Sequence, residues 1–540
     1  MAVNLCHTSY EESASKCGAW EYRDGSLHCD GMSMEDLQHR LHLEFKHQAT
    51  PAYIYSYLAL KENVANYKEA LKHLGDYGIL SYSLKANSNP HIITTLRNAG
   101  VSMATTVSGN EILMAIKCGF PPERIILNGN GKQQWEIELA VSRGVLLNID
   151  SVFDALQLVN VCKTLGMNAR ALLRLNPAID AQTHPYLATA LADSKFGVEM
   201  GQVDEVLRVV SAQEEGVGAE GNSQRDRLID LQGVHIHIGS AISKVQVYSE
   251  MMKSAVQTLM HIRISGWPEA SIINLGGGLG IDQTNPPYKH QSSSAADSLF
   301  ITPPSQTPLS AESTSISLRS SQTEGNILDH HGNVTDINSG KGTDMDLQQK
   351  EFPVPKQLVE EVLPHLPRDT YLILEPGRSL VGTAGIVVTS ILGVKSNAGK
   401  EFLVVDAAMT EVIRPSLYGA VHPISYITPP QHNEAAVFDV VGPVCESGDF
   451  LSRQCPLQSP ISGEEANNSV YNRPVSNIQR VPYKSIPGTS LAIWNCGAYC
   501  SSMSSNYNLR PHAMEVLVTS PTKYKIIRKP QQFADLVSNF

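Results

Sequence analysis

Charged side chains stand at the ends of two apolar runs in this sequence. Lys85 follows Ile79–Leu84 and precedes the turn-forming residues ANSNP, and Glu375 follows YLIL and precedes a Pro-Gly pair. Short apolar runs bounded by turn formers are typical of buried strands. Both charges are therefore predicted at the carboxyl ends of strands, where a parallel barrel keeps its catalytic groups.

Each of these charges has two interpretations. Lys85 alone is most often a solvated strand-end charge, but it could also be a lysine that forms a Schiff base, whose amine must be partly desolvated. Glu375 at a buried strand end needs a cation. That cation is either Arg378, three residues later, or a protonated heterocycle of a bound ligand.

The stretches VHIHIGS and NLGGGLG supply candidate binding surfaces. Strand alternation places His235 and His237 on one face, where they would form a metal site, an aromatic platform or two core histidines. Gly239 and Ser240 follow as a candidate phosphate-binding turn. The glycine run at 276–278 opens backbone N–H groups to an anion, although such a run alone is more often only a tight turn. It lacks the P-loop pattern and the dinucleotide context, so a phosphate there belongs to a ligand smaller than a nucleotide.

Together these groups match what pyridoxal phosphate requires of a protein: an amine, a stacking surface, an anion site and a counter-charge for the pyridinium. Seven stretches then resemble, in order, the diaminopimelate decarboxylase family of the alanine-racemase-like fold type: YSLKANSNP, HIHIGS, NLGGGLGID, EPGRS, IRPSLY, GPVCESGDFL and GAYCSSMSSNYN. The phrases VSGNEI, LNGNGK, HPYLAT and SKFG are most similar to its plant-type branch. The resemblance runs from about residue 20 to the C-terminus, outside three insertions.

The resemblance implies a carboxy-lyase that uses pyridoxal 5'-phosphate to convert meso-2,6-diaminopimelate to L-lysine and carbon dioxide, the last step of lysine biosynthesis. The implied catalytic residues are Lys85 and Cys445. The implied cofactor-binding residues are Lys85, His237, Gly239, Ser240, Gly276, Gly277, Gly278, Glu375, Arg378 and Tyr499. The implied substrate-binding residues are Arg378, Arg414, Tyr418, Glu446 and Tyr499. An ornithine- or arginine-type decarboxylase of the same fold, or a catalytically silent homologue that binds the cofactor, is the alternative.

The motif GPVCESGDFL implies more than a residue role. In the family the cysteine comes from the partner chain and returns the proton to Cα, so Cys445 implies a head-to-tail homodimer with shared sites. Glu446 would answer the distal ammonium of the substrate while arginine binds the distal carboxylate. Two positions depart from the pattern. Thr105 and Asn495 stand where many relatives carry Asp, and the second departure leaves open how Tyr499 is held.

The elements that must position these residues alternate from residue 50 onward. Short β-rich runs, Ala52–Tyr55 among them, alternate with amphipathic segments up to about residue 384, which predicts a TIM-type (β/α)8 barrel. The pattern then changes to strands and turns, which predicts a mainly β C-terminal domain. The predicted domains are an N-terminal segment 1–48 that partly joins the β domain, the barrel 49–384, and the β domain 385–540. Polar composition predicts a disordered insertion at about 285–348 and smaller insertions at 214–227 and about 456–487.

Composition excludes several classes of protein. The net charge of -11 argues against a nucleic-acid-binding surface, and no apolar run reaches the roughly 20 residues of a membrane helix. The nine cysteines form no C-x-x-C pair, so no metal site is predicted. The first residues resemble neither a signal nor a transit peptide, which favours a cytoplasmic protein while leaving a plastid location open.

Overall fold

The computed structural model describes residues 18–179, 194–211, 227–290, 352–429, 435–458 and 490–540. Within those ranges no helix is long and apolar enough to cross a membrane. The strands are β1 (Trp20–Arg23), β2 (Ser26–Cys29), β3 (Met32–Ser33), β4 (Ala52–Ser56), β5 (Gly78–Ser83), β6 (Met103–Thr106), β7 (Ile125–Leu127), β8 (Leu146–Ile149), β9 (Ala169–Asn176), β10 (Val198–Glu199), β11 (Ile229–Ile236), β12 (Ile272–Asn274), β13 (Lys289–His290), β14 (Tyr371–Leu374), β15 (Gly385–Asn397), β16 (Lys400–Val405), β17 (Ile424–Tyr426), β18 (Ala435–Val441), β19 (Phe450–Gln458), β20 (Ser490–Ile493), β21 (Met514–Ser520) and β22 (Lys523–Arg528).

The α-helices of the same ranges are α1 (Met34–Phe45), α2 (Tyr57–Leu71), α3 (Pro90–Ala99), α4 (Gly109–Lys117), α5 (Gln134–Arg143), α6 (Val152–Leu165), α7 (Val203–Val210), α8 (Gln246–Ile264), α9 (Pro355–Val362), α10 (Arg378–Val381), α11 (Arg414–Tyr418) and a C-terminal turn, Phe533–Leu536.

Eight parallel strands close into a barrel in the order β5-β6-β7-β8-β9-β11-β12-β14, and β14 returns to pair with β5. Each strand is followed by a helix, and α2 packs between α3 and α9 in the surrounding layer. Apolar side chains from neighbouring strands fill the lower interior, among them Ile79, Met103, Ile126, Leu172 and Ile373. The predicted (β/α)8 barrel is confirmed, and its floor is packed rather than open.

The C-terminal part forms a second sheet in the order β19-β18-β16-β15-β4-β21-β22, with β20 and β17 joined through β15. This confirms the predicted β domain, with one correction. The run Ala52–Tyr55, counted among the barrel strands from its sequence, belongs to β4 and pairs with β15 and β21. An apolar run reports that a strand is buried but not which sheet it joins, so a barrel boundary at residue 49 is wrong by one strand.

The N-terminal segment packs on the β domain without extending its sheet. β1, β2 and β3 form a four-stranded sheet with β13. The Trp20 ring lies 5.5 Å from the ring of Trp494 in an edge-to-face contact, and Leu27 N donates to the carbonyl of Ile427. These contacts bury the apolar face of α1, including Leu37 and Leu41, in a core shared with the β domain.

The three predicted insertions lie mostly outside the described residues. Two of the predicted insertion boundaries fall within the described residues, and both need correction. Lys289–His290 is strand β13 and pairs with β1, so the insertion placed at about 285–348 begins too early. β19 runs to Gln458 and pairs with β18, so the insertion placed at about 456–487 also begins too early. Polar residues in an edge strand have the same composition as a loop, which is why composition misplaced both boundaries.

A buried ion pair ties together the loops that follow β7 and β8. Lys132 Nζ donates to Asp154 Oδ2 at 2.5 Å and to the carbonyl oxygens of Gly129 and Asn148 at 2.8 and 2.7 Å. The same carboxylate oxygen accepts from the N–H of Asp150 at 2.9 Å. Because all three ammonium protons have acceptors, the pair meets the condition under which a buried charge is tolerated.

Replacing Lys132 should therefore destabilise the barrel. Lys132→Met leaves the Asp154 carboxylate buried without a cation, and we expect a loss of about 3 kcal/mol in the free energy of unfolding. Thermal and urea midpoints measure the loss. The matched control is Lys72→Met, whose partner Glu69 and own side chain are 71 % and 67 % exposed. Its free energy of unfolding should stay within about 0.5 kcal/mol of the wild-type value. Equal midpoints for the two variants would contradict the structural role of Lys132.

Candidate active site

One cavity opens at the carboxyl ends of the barrel strands. Lys85 lies in the turn Leu84–Ala86 after β5, and Glu375 directly follows β14, so both occupy the predicted strand ends. The cavity is lined by Ser83, Lys85, Thr105, Asn128, Arg174, Phe196, His235, His237, Ser240, Gly277, Gly278, Glu375, Arg378 and Tyr499, among others. Most residues predicted for the cofactor therefore lie around a single space.

The Glu375 carboxylate is buried and held by neutral donors. Asn274 Nδ2 donates to Oε1 at 2.8 Å, while Asn128 Nδ2 and His235 Nε2 approach Oε2 at 3.2 and 3.3 Å. Burial opposes ionisation, but the His235 ring and the hydrogen bonds from Asn274 and Thr105 outweigh it and hold the pKa of Glu375 below its usual value. The carboxylate is therefore an anion at neutral pH.

His235 supports this anion as a neutral ring. Burial lowers the pKa of His235 despite the nearby carboxylate, so the ring donates from Nε2 to Glu375 and carries no charge. Arg378, the cation considered from the sequence, makes no ion pair with Glu375 among the described residues, and that interpretation is wrong. The face of β11 is as predicted, because His235 and His237 both line the cavity.

Neutral amides connect Glu375 to the rest of the barrel mouth. Asn148 Nδ2 donates to Asn128 Oδ1, whose own amide donates to Glu375. On the other side, Asn274 Oδ1 accepts from the N–H of Gly276 at 2.8 Å. Asn274 therefore fixes both the carboxylate and the start of the glycine loop.

The loop Gly276–Gly278 fits an anion and excludes side chains. A Cβ on Gly277 would lie 2.4 Å from the Glu375 carbonyl, and one on Gly278, at φ +103°, would lie 2.3 Å from the Gly239 carbonyl. Only glycine allows this approach. Gly239 itself does not line the cavity, but its backbone supports the loop that does, and Ser240 lies on the cavity wall. The cradle thus has room and backbone for a phosphate.

Lys85 and His237 lie close enough to interact. Desolvation, and next the charge of Lys85, lowers the pKa of His237 well below its usual value, so the ring is neutral and suited to lie against a heterocycle. Lys85 is exposed at the cavity mouth rather than desolvated by protein atoms. The fold therefore places the Lys85 amine at the cavity without burying it.

A second charged group lies beside the cavity. Arg378 stacks on the Tyr499 ring, with Cζ 4.8 Å from the ring centroid. Burial, followed by the charge of Arg414, lowers the pKa of Arg378 to about 10, and Tyr418 acts in the opposite direction. Arg414 and Tyr418 do not line the cavity, but their electrostatic effect on Arg378 places them next to its wall. The four predicted substrate residues of this group therefore cluster.

The other two substrate and proton-transfer residues lie elsewhere. Cys445 and Glu446 are exposed in the turn between β18 and β19, outside the cavity. The Cys445 N–H donates to Asn508 Oδ1 at 2.8 Å, and Glu446 Oε1 accepts from the N–H of Gly448 at 3.3 Å. A single chain does not bring these two side chains to Lys85.

The two departures from the family pattern have local answers. Thr105 hydrogen-bonds to Ser81 at 2.8 Å and lowers the pKa of Glu375, so its hydroxyl supports the anion. Asn495 donates to the Asp282 carbonyl at 3.1 Å, and no hydrogen bond joins it to Tyr499 in the part of the chain that the structure describes. Tyr499 is held instead by its own N–H, which donates to the Ala86 carbonyl at 2.8 Å, and by the Arg378 stack.

Sequence reasoning missed several residues of the cavity wall. Arg174 projects from β9 into the cavity and pairs with Asp150 at 2.9 Å, while its guanidinium lies 4.6 Å from the Phe196 ring centroid. An arginine inside the apolar run ALLRLN was the available signal, because a strand interior rarely carries a charge without a partner. Asn128 and Asn274 gave no such signal, since neutral amides at strand ends are common in turns.

One group of candidate metal ligands is found among the described residues: His422, Cys496 and Cys500, all buried, with ligand atoms within 4.8 Å of one another. Its chemistry does not suit a cation. Arg414 Nη1 lies 2.8 Å from His422 Nε2, and His422 Nδ1 lies 2.8 Å from the Trp494 carbonyl. Both ring nitrogens are engaged, and a full positive charge stands beside the cluster.

The fold is a closed barrel with a separate β domain, and one mouth of the barrel carries a lysine, a glutamate and a glycine cradle. These features define the alanine-racemase-like class of pyridoxal-phosphate enzymes. A profile of the pyridoxal-binding domain of pyridoxal-dependent decarboxylases matches residues 59–301. The chain is 34 % identical over 517 residues to a probable chloroplastic diaminopimelate decarboxylase of Oryza sativa subsp. japonica, covering 96 % of this chain and 84 % of that one.

Two further relatives agree. Diaminopimelate decarboxylase of Aquifex aeolicus is 31 % identical, with 96 % of both chains covered. A crystal structure of the Helicobacter pylori enzyme complexed with L-lysine superimposes with a TM-score of 0.67 at 29 % identity, covering 92 % of this chain and 98 % of that one. The chain belongs to the diaminopimelate decarboxylase family, and its cofactor is pyridoxal phosphate.

Removing one donor to Glu375 should change the pH dependence of activity. Asn274→Ala deletes a hydrogen bond to the charged form, so the pKa of Glu375 rises. Activity that needs the anion is then lost at a higher pH as the solution is acidified. A profile of kcat/KM against pH measures the shift of the acidic limb. Asn63→Ala, which removes hydrogen bonds to Leu380 and Thr383 instead, is the control, and an unshifted limb in Asn274→Ala would contradict the assignment.

Proposed function

We propose that this chain decarboxylates meso-2,6-diaminopimelate to L-lysine and carbon dioxide, the last step of lysine biosynthesis. The observation that carries the substrate is a pair of buried guanidiniums. Arg378 is 7 % exposed and Arg414 is 1 % exposed, and neither pairs with a carboxylate of the described residues. Two neighbouring buried cations repel each other unless an anion lies between them.

The substrate supplies such an anion. Diaminopimelate carries a second amino-acid group at the end that does not react, so its distal carboxylate meets Arg378 and Arg414, and Tyr418 and Tyr499 line the same region. Arginine suits this task because its planar fork binds a carboxylate in a bidentate geometry. Ornithine and arginine have no distal carboxylate, and this is why the pair favours diaminopimelate.

The residues around Lys85 hold the cofactor. Lys85 would hold its aldehyde, His237 would pack against its ring, and Ser240 with the loop at 276–278 would bind its phosphate. Gly276 N–H already donates to Asn274, so Gly277 and Gly278 present the free backbone. Bound pyridoxal phosphate supplies an electron sink for the substrate Cα. Glu375 would hold the ring nitrogen, and its anion would keep a proton there.

Cys445 acts as the general acid that returns a proton to Cα, and Glu446 pairs with the distal ammonium of the substrate. Because both are exposed and outside the cavity of their own chain, they act in the site of a second copy. Ser416 and Asn508 hydrogen-bond to this turn. Their sequence neighbours Leu417, Tyr507 and Leu509 are large side chains that are 46, 48 and 68 % exposed. An apolar surface around an essential residue is typical of an interface, so the active unit is a homodimer with shared sites.

The cellular location stays a prediction. The sequence favours the cytoplasm, whereas the rice relative is named chloroplastic. The described residues contain no helix able to cross a membrane.

A substrate panel tests the activity. Purified protein with pyridoxal phosphate should release carbon dioxide and L-lysine from meso-diaminopimelate and leave ornithine and arginine unchanged, because only the first places a carboxylate between Arg378 and Arg414. Carbon dioxide release and product chromatography measure it. Turnover of ornithine or arginine without turnover of diaminopimelate would show the specificity argument to be wrong. Lys85→Ala, which should lose the visible absorbance of bound cofactor, controls for a contaminating enzyme and tests the silent-homologue alternative.

Subunit mixing tests the shared site. Lys85→Ala and Cys445→Ala proteins should each be inactive, because one lacks the cofactor-binding amine and the other the proton donor. A mixed dimer has one site with both wild-type residues, so complete exchange should restore about a quarter of wild-type activity. An activity assay after mixing measures the recovery, and native mass spectrometry measures the extent of subunit exchange. No recovery despite proven exchange would contradict shared sites.

A further inference from the structure

The proposed binding role of Arg414 does not explain what orients its buried guanidinium. Its side chain is almost fully buried, Nε has no hydrogen-bond partner, and it makes no ion pair in the described part of the chain. A guanidinium in that position has to be oriented. If a carboxylate of the protein oriented it, the same carboxylate would neutralise it and compete with a ligand's carboxylate.

The structure orients Arg414 with a histidine. Arg414 Nη1 lies 2.8 Å from His422 Nε2. Arginine has donors only, so His422 Nε2 must be the acceptor, and the ring proton must sit on Nδ1. His422 Nδ1 then donates to the Trp494 carbonyl at 2.8 Å. Both ring nitrogens are satisfied by one neutral tautomer.

The local fold fixes this contact from both sides. Helix α11 ends at Gly419, whose φ of +62° reverses the chain and returns His422 beside Arg414. Trp494 is fully buried, its Nε1 donates to Ser425 Oγ at 2.8 Å, and its ring contacts those of Trp20 and Tyr288. The carbonyl that holds His422 is therefore rigid, and the guanidinium inherits that rigidity through the ring.

We propose that His422 is a specificity-determining positioning residue, which fixes the Arg414 guanidinium for the distal carboxylate of the substrate and leaves its charge unneutralised. This inference rests on the proposed function, in which Arg414 binds that carboxylate. It assigns His422 a task that neither a carboxylate nor an apolar side chain at the same position can perform.

The protonation state of His422 agrees with this task. Burial, followed by the charge of Arg414, lowers the pKa of His422 to about 3. The ring accordingly remains neutral at every pH at which a decarboxylase works, and it accepts a hydrogen bond from Arg414 throughout.

Three substitutions of His422 by polar side chains of similar size test the proposal. His422→Gln keeps a neutral acceptor at the distance of Nε2. His422→Glu keeps an acceptor of the same length but adds a negative charge. His422→Asn keeps a neutral amide that is too short to reach Arg414. Each enzyme is loaded with pyridoxal phosphate, and titration calorimetry measures binding of L-lysine, which has the distal carboxylate, and of cadaverine, which has the two amines without it.

We expect His422→Gln to bind lysine within about threefold of wild type, and His422→Glu and His422→Asn to bind it at least about tenfold more weakly. Cadaverine affinity should be the same in all four proteins. In steady-state assays with diaminopimelate, the loss should appear in KM more than in kcat, because Arg414 does not touch the reacting bonds.

Two results overturn the role of His422 alone: equal lysine affinity in the Gln, Glu and Asn variants, or a loss of cadaverine affinity as large as that of lysine, which would indicate general damage. A wild-type enzyme that neither binds lysine nor decarboxylates diaminopimelate would overturn the proposed function and this inference with it. If His422→Glu fails to fold, as judged by its melting temperature and bound-cofactor absorbance, the comparison of Gln with Asn still decides.

Discussion

A carboxylate buried at the end of a barrel strand has to remain ionised without a full cation from its own chain, and much of the site follows from how Glu375 meets that constraint. The neutral ring of His235 and the amides of Asn128 and Asn274 stabilise the anion without neutralising it. Asn274 also holds Gly276 at the start of the glycine loop. One network therefore sets the position of the glycine loop and that of the Glu375 anion, the two groups proposed to bind the phosphate and the ring nitrogen of the cofactor.

The same principle governs the positive side of the cavity. Arg378 is held by the face of the Tyr499 ring and Arg414 by the neutral ring of His422, not by carboxylates. In both places the protein orients a charge with neutral partners, and in the proposed function the free energy of pairing is kept for cofactor and substrate. Charges arranged in this way destabilise the fold when no ligand is bound, whereas other buried charges at the barrel mouth, such as Lys132 and Asp154, are paired with each other.

The sequence predicted those features that depend on local pattern. The barrel, the β domain and the strand ends carrying Lys85, His237 and Glu375 are visible in apolar runs and turn formers. Features that depend on distant pairing were not visible. The run Ala52–Tyr55 has the composition of a barrel strand and joins the other sheet. Asn128 has the sequence context of a turn former, but in the structure it donates a hydrogen bond to Glu375. The role of His422 depends on its contacts with Arg414 and Trp494, which the sequence does not show.

In the proposed active site, the Glu375 anion would keep the ring nitrogen of the cofactor protonated. The most direct measurement is the 15N NMR shift of pyridoxal phosphate labelled at the ring nitrogen and bound to the enzyme. We expect the shift of a protonated pyridine nitrogen in the wild-type enzyme at neutral and mildly alkaline pH, and the shift of an unprotonated nitrogen in Glu375→Gln. An unprotonated nitrogen in the wild-type enzyme, or the same shift in both proteins, would contradict this role of Glu375.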